Sequence, residues 1–204
     1  KISGIPMAGL VVDIGCGSGV SLLPFAEKGF QVVGVDPDEK ILELSRRKTE
    51  GMQNVKYLVQ KFENVPVSNA DLVTAGTSWH WVKPEVSHLT ASQVLKSDGH
   101  LAVFYNYLNY EGTSFGVEIK DLYRQLCPDF PEDLASTKKH EDRVVESGLF
   151  KPFEKIDYFE KIKYSKDRFV GLLDTYTWVF KSPNRAELLG RINLMMGNDA
   201  EVPV

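Results

Sequence analysis

Cysteine is scarce in this chain of 204 residues: Cys16 and Cys127 are the whole complement. Two isolated thiols make neither a metal-binding pattern nor a disulfide framework, which points to a reducing, cytoplasmic setting. No apolar run approaches the roughly 20 residues of a membrane span. An excess of basic charge is also missing: 24 Lys and Arg against 28 Asp and Glu leave a net charge of −4. That argues against a broad nucleic-acid-binding surface, which needs a basic stripe, while leaving room for a local patch. No signal peptide is visible, and the first residue is Lys1 rather than Met. Internal repeats, low-complexity tracts and linkers are lacking. What the chain does have is 11 Phe, 8 Tyr and 3 Trp and a hydrophobic fraction of 43%. Aromatics in that number exclude disorder for most of the chain, and the length fits one domain at roughly 150 residues per domain.

The first half alternates strand and helix signals. Residues 10–14 form a near-continuous apolar run ending in glycine, the pattern of a strand buried on both faces. Residues 31–36, 55–59, 70–75 and 100–105 read as four more strands. Helices are predicted over 21–28, from an N-cap at Asp38 through Lys48, and over 84–94. Five strands joined by helical crossovers imply an α/β fold: a doubly wound, mostly parallel, Rossmann-like sheet with helices on both faces. The second half reads as helices between 114 and 147, broken at Cys127–Pro128 and Phe130–Pro131, then a sixth strand over 154–163 and helices over 167–181 and 184–196. We therefore expect a single domain with a core over 9–106 and a region over 107–204 that adds one strand and helices, which either pack on the sheet or cap the ligand site.

The first strand runs into Asp13–Ile14–Gly15–Cys16–Gly17–Ser18–Gly19–Val20. Glycines there let backbone turn tightly and approach a ligand. Free N–H groups at the start of the following helix would favour an anionic group. The dinucleotide fingerprint G-x-G-x-x-G fails in both registers, because Val20 and Leu22 stand where its third glycine belongs. No phosphate-binding G-x-x-x-x-G-K-[ST] loop exists either. A second acid, Asp36, ends the second strand, where a carboxylate accepts from ribose hydroxyls. Asp36 ahead of Pro37 and Asp38 also suits a simple turn, but the glycine loop at the proper distance favours the ligand. Two acids argue against a pyrophosphate and for a ligand carrying cationic groups.

These residues resemble the first and second motifs of class I S-adenosylmethionine-dependent methyltransferases. Further similarity follows in family order: Asn54–Val55–Lys56–Tyr57, Glu63–Asn64–Val65–Pro66, Asp71–Leu72–Val73–Thr74–Ala75, and Val94–Leu95–Lys96–Ser97–Asp98–Gly99–His100–Leu101. The resemblance implies S-adenosylmethionine as cofactor. Gly15, Gly17 and Gly19 would lie beneath its methionyl part, with Asp13 near the ammonium, Asp36 on the ribose, and Phe62 and Glu63 bordering an adenine packed against Pro37. Lys61 departs from the pattern, since an acid or small residue is usual there. The resemblance also implies that the chain is clipped at both ends.

Gly76–Thr77–Ser78–Trp79–His80–Trp81 follows the fourth strand, at the ligand end of such a sheet. Trp79 and Trp81 would wall a small-molecule pocket with Thr77, or else pack as core. The His–Trp pair, with the late stretch through Thr175–Tyr176–Thr177, looks like the trans-aconitate methyltransferase-like branch and implies small-molecule acceptors, carboxylic acids among them. An ionised carboxylate needs no base, only positioning, for which His80, Tyr105, Asn106, Tyr176 and Trp178 are the candidates. A hydroxyl or amine would need His80 as base, since histidine titrates near neutrality. The alternatives are methylation of RNA or protein, or a non-catalytic S-adenosylmethionine-binding partner subunit. The expected partner is a small-molecule substrate, with no nucleic acid, membrane or metal, in a monomer or homodimer. His88, His100 and His140 read as structural or exposed.

Overall fold

The computed structural model describes residues 5–6, 8–132, 138–151, 153–196 and 199–203, with backbone alone for 138–142 and 199–203. The chain divides into two compact units, one of residues 1–105 and 138–153, the other of 106–137 and 154–204.

The first unit is built on strands β1 (Leu10–Ile14), β2 (Gln31–Asp36), β3 (Val55–Val59), β4 (Ala70–Gly76) and β5 (Leu95–Phe104). They form one sheet in the order β3-β2-β1-β4-β5, every pair parallel. Parallel strands need crossovers, and helices α1 (Leu23–Glu27), α2 (Glu39–Lys48) and α3 (Pro84–Val94) supply three of the four, while β3 reaches β4 through a single 3₁₀ turn at Phe62–Asn64. Strands covered on both faces read as continuous apolar runs, and Val11, Val12, Leu72 and Val73 are fully buried. The sheet is the doubly wound, Rossmann-like one the sequence implied. Strand order reverses between β1 and β4, so their carboxyl ends border the crevice where such sheets bind ligands.

Two elements differ from expectation. Helix α1 is five residues long and begins at Leu23, because the chain is still turning through 20–22. Strand β5 begins at Leu95, opposite Ala70, and then skips to His100 opposite Leu72, so residues 96–99 bulge out. Gly99 lies there with no room for a Cβ, which would stand 2.9 Å from the Ala70 carbonyl oxygen.

The first unit also holds helix α5 (Lys138–Ser147), which packs on α3. His140 and the charged residues 138–142 around it lie outside the described side chains.

The second unit contains α4 (Ser114–Leu126), α6 (Lys166–Asp174), α7 (Thr177–Phe180) and α8 (Arg185–Met195) around a core of Tyr123, Phe169, Leu173, Val179, Leu188 and Ile192. The helix expected over 167–181 is two helices, because the chain turns at Thr175 and is extended at Tyr176. Thr175 caps the first of them, its hydroxyl donating to the Leu172 carbonyl at 2.6 Å. The expected sixth strand is shifted. Its β-branched and aromatic signal lies in 153–160, which forms no regular structure, whereas strand β6 is Lys161–Ser165. Strand propensity needs a partner, and β6 has one only where β7 (Asp199–Pro203) lies antiparallel beside it in a separate two-stranded sheet. No helix among the described residues is long and apolar enough to cross a membrane.

Asp71 clamps the start of the central strands. One carboxylate oxygen accepts the Leu10 N–H at 2.8 Å, and the other receives Lys96 Nζ at 2.6 Å, with Asp71 9% exposed. Lys96 and the Leu10 N–H hold its carboxyl below the usual carboxylate range. A lowered folded-state pKa gives stability that is complete well above that range and lost as pH falls through the folded value. Urea unfolding of Asp71→Ala should show a loss of about 1–3 kcal/mol at pH 7 that shrinks in strong acid. A loss that does not change with pH would mean that the clamp is not electrostatic.

Candidate active site

The loop after β1 is shaped by left-handed backbone at Gly15, Gly17 and Gly19, with φ of 59°, 51° and 84°. Two of these positions also lack space. A Cβ on Gly15 would stand 2.5 Å from the Ser78 Cβ, and one on Gly19 would collide with the Ser45 hydroxyl. The loop is thus pressed against the segment after β4 on one side and α2 on the other. The Ser78 hydroxyl donates to the Ile14 carbonyl, which joins the ends of β1 and β4.

Asp13 is fully buried beneath this loop. It accepts from the Ser21 hydroxyl at 2.5 Å and from the Thr74 hydroxyl at 2.7 Å. Burial pushes its carboxyl up from 3.8 to about 6, and the two hydroxyls pull it partway back. Asp13 therefore offers a ligand its charge from below rather than an open contact surface.

Asp36 stands half-buried at the carboxyl end of β2. One oxygen accepts the Gly17 N–H at 3.0 Å and the other the Asp38 N–H at 2.9 Å. Each oxygen retains a lone pair for a further donor. Two more loop amides are engaged within the chain: Cys16 N–H donates to the Val35 carbonyl at 3.1 Å, and Gly19 N–H to the Cys16 carbonyl at 2.8 Å. On the outer side the Lys48 ammonium donates to the Ser18 hydroxyl at 3.2 Å. Helix α1 is short, and Asp13 and Asp36 are the carboxylates that hold the loop.

Cys16 fills the space left by Gly34, where a Cβ would lie 2.9 Å from its Sγ. Burial and the charges of Asp13 and Asp36 push its thiol well up, which leaves it no nucleophilic role.

The other expected site residues divide. Pro37 is exposed beside Asp36. Phe62 is 4% exposed, and its ring packs 6.2 Å from Trp79, so it belongs to the core beneath the site rather than to an open adenine wall. Glu63 is half-buried and accepts from the Lys83 N–H at 3.4 Å. Thr77 holds a left-handed φ of 56°, unusual for a β-branched residue, and its N–H donates to the Phe104 carbonyl at 2.8 Å. That turn sends the two tryptophans opposite ways. Trp79 enters the core at 3% exposure, packed on Phe62 and, at 5.5 Å, on His88, whereas Trp81 is 77% exposed. His80 lies between Trp81 at 4.9 Å and Tyr105 at 6.1 Å. Asn106, exposed, and Tyr176 and Trp178, half-buried, belong to the second unit. There the Tyr176 and Trp178 rings lie 4.7 Å apart, and Trp178 packs on Tyr123 and Phe130. His88 is a core residue and His100 is exposed.

Sequence reasoning missed Ser21, Thr74, Ser78 and Ser45, which hold the loop. Short hydroxyl residues carry no periodic signal, and only the pairing of β1 with β4 brings Thr74 opposite Asp13.

A parallel sheet in this order, with a glycine loop after β1 and an acid ending β2, defines a Rossmann-like domain for a nucleoside ligand bearing positive charge. Residues 12–103 match the family model of a methyltransferase domain, in line with the class I S-adenosylmethionine-dependent methyltransferases that the motifs resemble. An uncharacterized methyltransferase of Mycobacterium tuberculosis is 30% identical over 98 residues, which cover 47% of this chain and 39% of that protein. The ubiquinone biosynthesis O-methyltransferase of Acinetobacter baumannii is 31% identical over 111 residues, 52% of this chain and 46% of that protein. The match thus spans less than half the length of either relative. A putative type II methyltransferase structure from Anaeromyxobacter dehalogenans shares the fold, with a TM-score of 0.64 at 22% identity over 98% of this chain and 87% of that one.

The raised pKa of Asp13 has a consequence for stability. Its contribution is fully present below about pH 4 and lost as pH rises through about 6. At pH 7.5 the ionised carboxylate costs about 3 kcal/mol relative to a neutral group. In urea, Asp13→Asn should be more stable than wild type at pH 7.5, and the difference should narrow by about 2 kcal/mol at pH 4.5. A gap that stays constant with pH would show that the charge is not what destabilises the loop.

Proposed function

We propose that this chain transfers a methyl group from S-adenosylmethionine to a small-molecule acceptor, with carboxylic acids as the first class to test. The observation that carries this reading is the pairing of Asp36, at the end of β2, with the glycine loop, whose Gly17 N–H it accepts. Such a cradle suits ribose hydroxyls and a ligand with cationic groups. Gly15 and Gly19 keep the loop free of Cβ atoms, Asp36 would accept from the ribose, and Asp13 would supply negative potential under the ammonium and sulfonium. When bound, the cofactor supplies a methyl group on positively charged sulfur, already activated for displacement.

What remains for the protein is alignment and exclusion of water, and alignment alone is worth roughly 7–11 kcal/mol of barrier. His80, Trp81 and Tyr105, grouped at the carboxyl ends of β4 and β5, would orient the acceptor. His80 would take the proton from a hydroxyl or amine acceptor, whereas a carboxylate would need it only as a hydrogen-bond partner. The net charge of −4 favours a small acceptor over RNA, and one relative's name, a ubiquinone biosynthesis O-methyltransferase, supports the same choice.

Isothermal titration calorimetry with S-adenosylmethionine and with NADH, on wild type and Asp36→Ala, tests the reading. We expect binding of the sulfonium ligand alone, weakened about tenfold or more in the variant, as for loss of a charge-assisted hydrogen bond. Binding of NADH, or no binding of S-adenosylmethionine to the folded chain, would overturn it.

A further inference from the structure

A small cleft of about 70 Å³ lies in the first unit, lined by Trp79, His80, Val82, Pro84, Ser87 and Arg143. Whole-ligand pockets run to roughly 300 Å³ or more, so this cleft can take one functional group and not a complete acceptor. Its position ties it to the candidate site. Trp79 and His80 directly follow Ser78, which bonds the Ile14 carbonyl and packs on Gly15. Ser87 lies in the first turn of α3, whose positive end adds to the cleft's electrostatic character.

Arg143 is the charge in this cleft. It is half-buried on α5, and no described residue forms a hydrogen bond or ion pair with it. Some other guanidinium groups find carboxylates: Arg124 pairs with Asp121 and Glu132, and Arg185 pairs with Asp174 through two bonds of 2.6 Å, whereas Arg47 and Arg168 pair with none among the described residues. A half-buried arginine beside Trp79, Val82 and Pro84 gains from an anion that pairs with its guanidinium. Its planar fork matches a carboxylate or another small oxyanion, which it holds through two parallel bonds.

We propose that Arg143 anchors an anionic group of the acceptor in this cleft, with His80 beside it, and so positions the acceptor next to the glycine loop. Arg143 is a positioning residue that sets specificity for anionic acceptors. The inference rests on the methyltransferase reading above. The same chemistry could come from the cofactor's own carboxylate, and the test separates the two.

The chain, with and without saturating S-adenosylhomocysteine, is titrated with succinate and with its neutral counterpart succinamide. The response is read on the indole N–H signals, of which the chain has only 3, from Trp79, Trp81 and Trp178. Succinate should shift the Trp79 signal saturably, and succinamide should not. Arg143→Gln should weaken succinate binding about tenfold or more, and Arg143→Lys, which keeps the charge but loses the fork, should fall between. Affinity for S-adenosylhomocysteine should stay within about twofold in both, which also shows that the variants are folded. An unchanged succinate response in Arg143→Gln would overturn the proposal. So would a loss of S-adenosylhomocysteine affinity in a folded Arg143→Gln, which would assign the guanidinium to the cofactor's carboxylate. If wild type binds no S-adenosylhomocysteine, the methyltransferase reading fails, while the succinate titration in its absence still decides whether Arg143 is an anion anchor.

Discussion

A carboxylate with no exposed surface sits at the carboxyl end of the middle strand, and the site is assembled around it. Asp13 can be buried there only because the Ser21 and Thr74 hydroxyls donate to it. Thr74 comes from the neighbouring strand β4 and Ser21 from the far side of the glycine loop, so satisfying one carboxylate fixes the ends of two strands and the loop between them. Ser78 completes the junction through the Ile14 carbonyl. The same burial makes the charge costly, which raises the carboxyl to about 6. A buried charge that reduces stability near neutrality has a use if the ligand is cationic, because the ligand then offsets the electrostatic cost.

Asp36 plays the complementary part from the end of β2. It orders the loop by accepting the Gly17 N–H and retains acceptor capacity toward the crevice. A glycine-rich turn after a first strand serves dinucleotides as well, and the buried acid Asp13 beneath this one sets it apart.

Much of this was legible in the sequence. Apolar runs bounded by glycine located the strands of the parallel sheet, because strands buried on both faces leave that signature. The failed G-x-G-x-x-G spacing and the acid at Asp36 pointed away from a pyrophosphate. The two tryptophans around His80 read alike in sequence but differ in the structure. The left-handed turn at Thr77 is followed by Trp79 in the core and Trp81 in solvent, and no local pattern encodes that split. The strand expected over 154–163 misled for a related reason: β-branched and aromatic residues make a strand only where a partner strand lies beside them, and β7 reaches only Lys161–Ser165. Arg143 was hidden because it lies within a charged helical stretch, and its relation to the segment after β4 is a matter of packing rather than of spacing.

Seating of the nucleoside on the glycine loop and Asp36 is tested most directly by a crystal structure with S-adenosylhomocysteine bound. The nucleoside should lie over Gly15, Gly17 and Gly19, with both ribose hydroxyls donating to Asp36 and the Gly17 N–H still on that carboxylate. A ligand bound elsewhere on the chain, or seated on the loop with Asp36 turned away from the ribose, would contradict it.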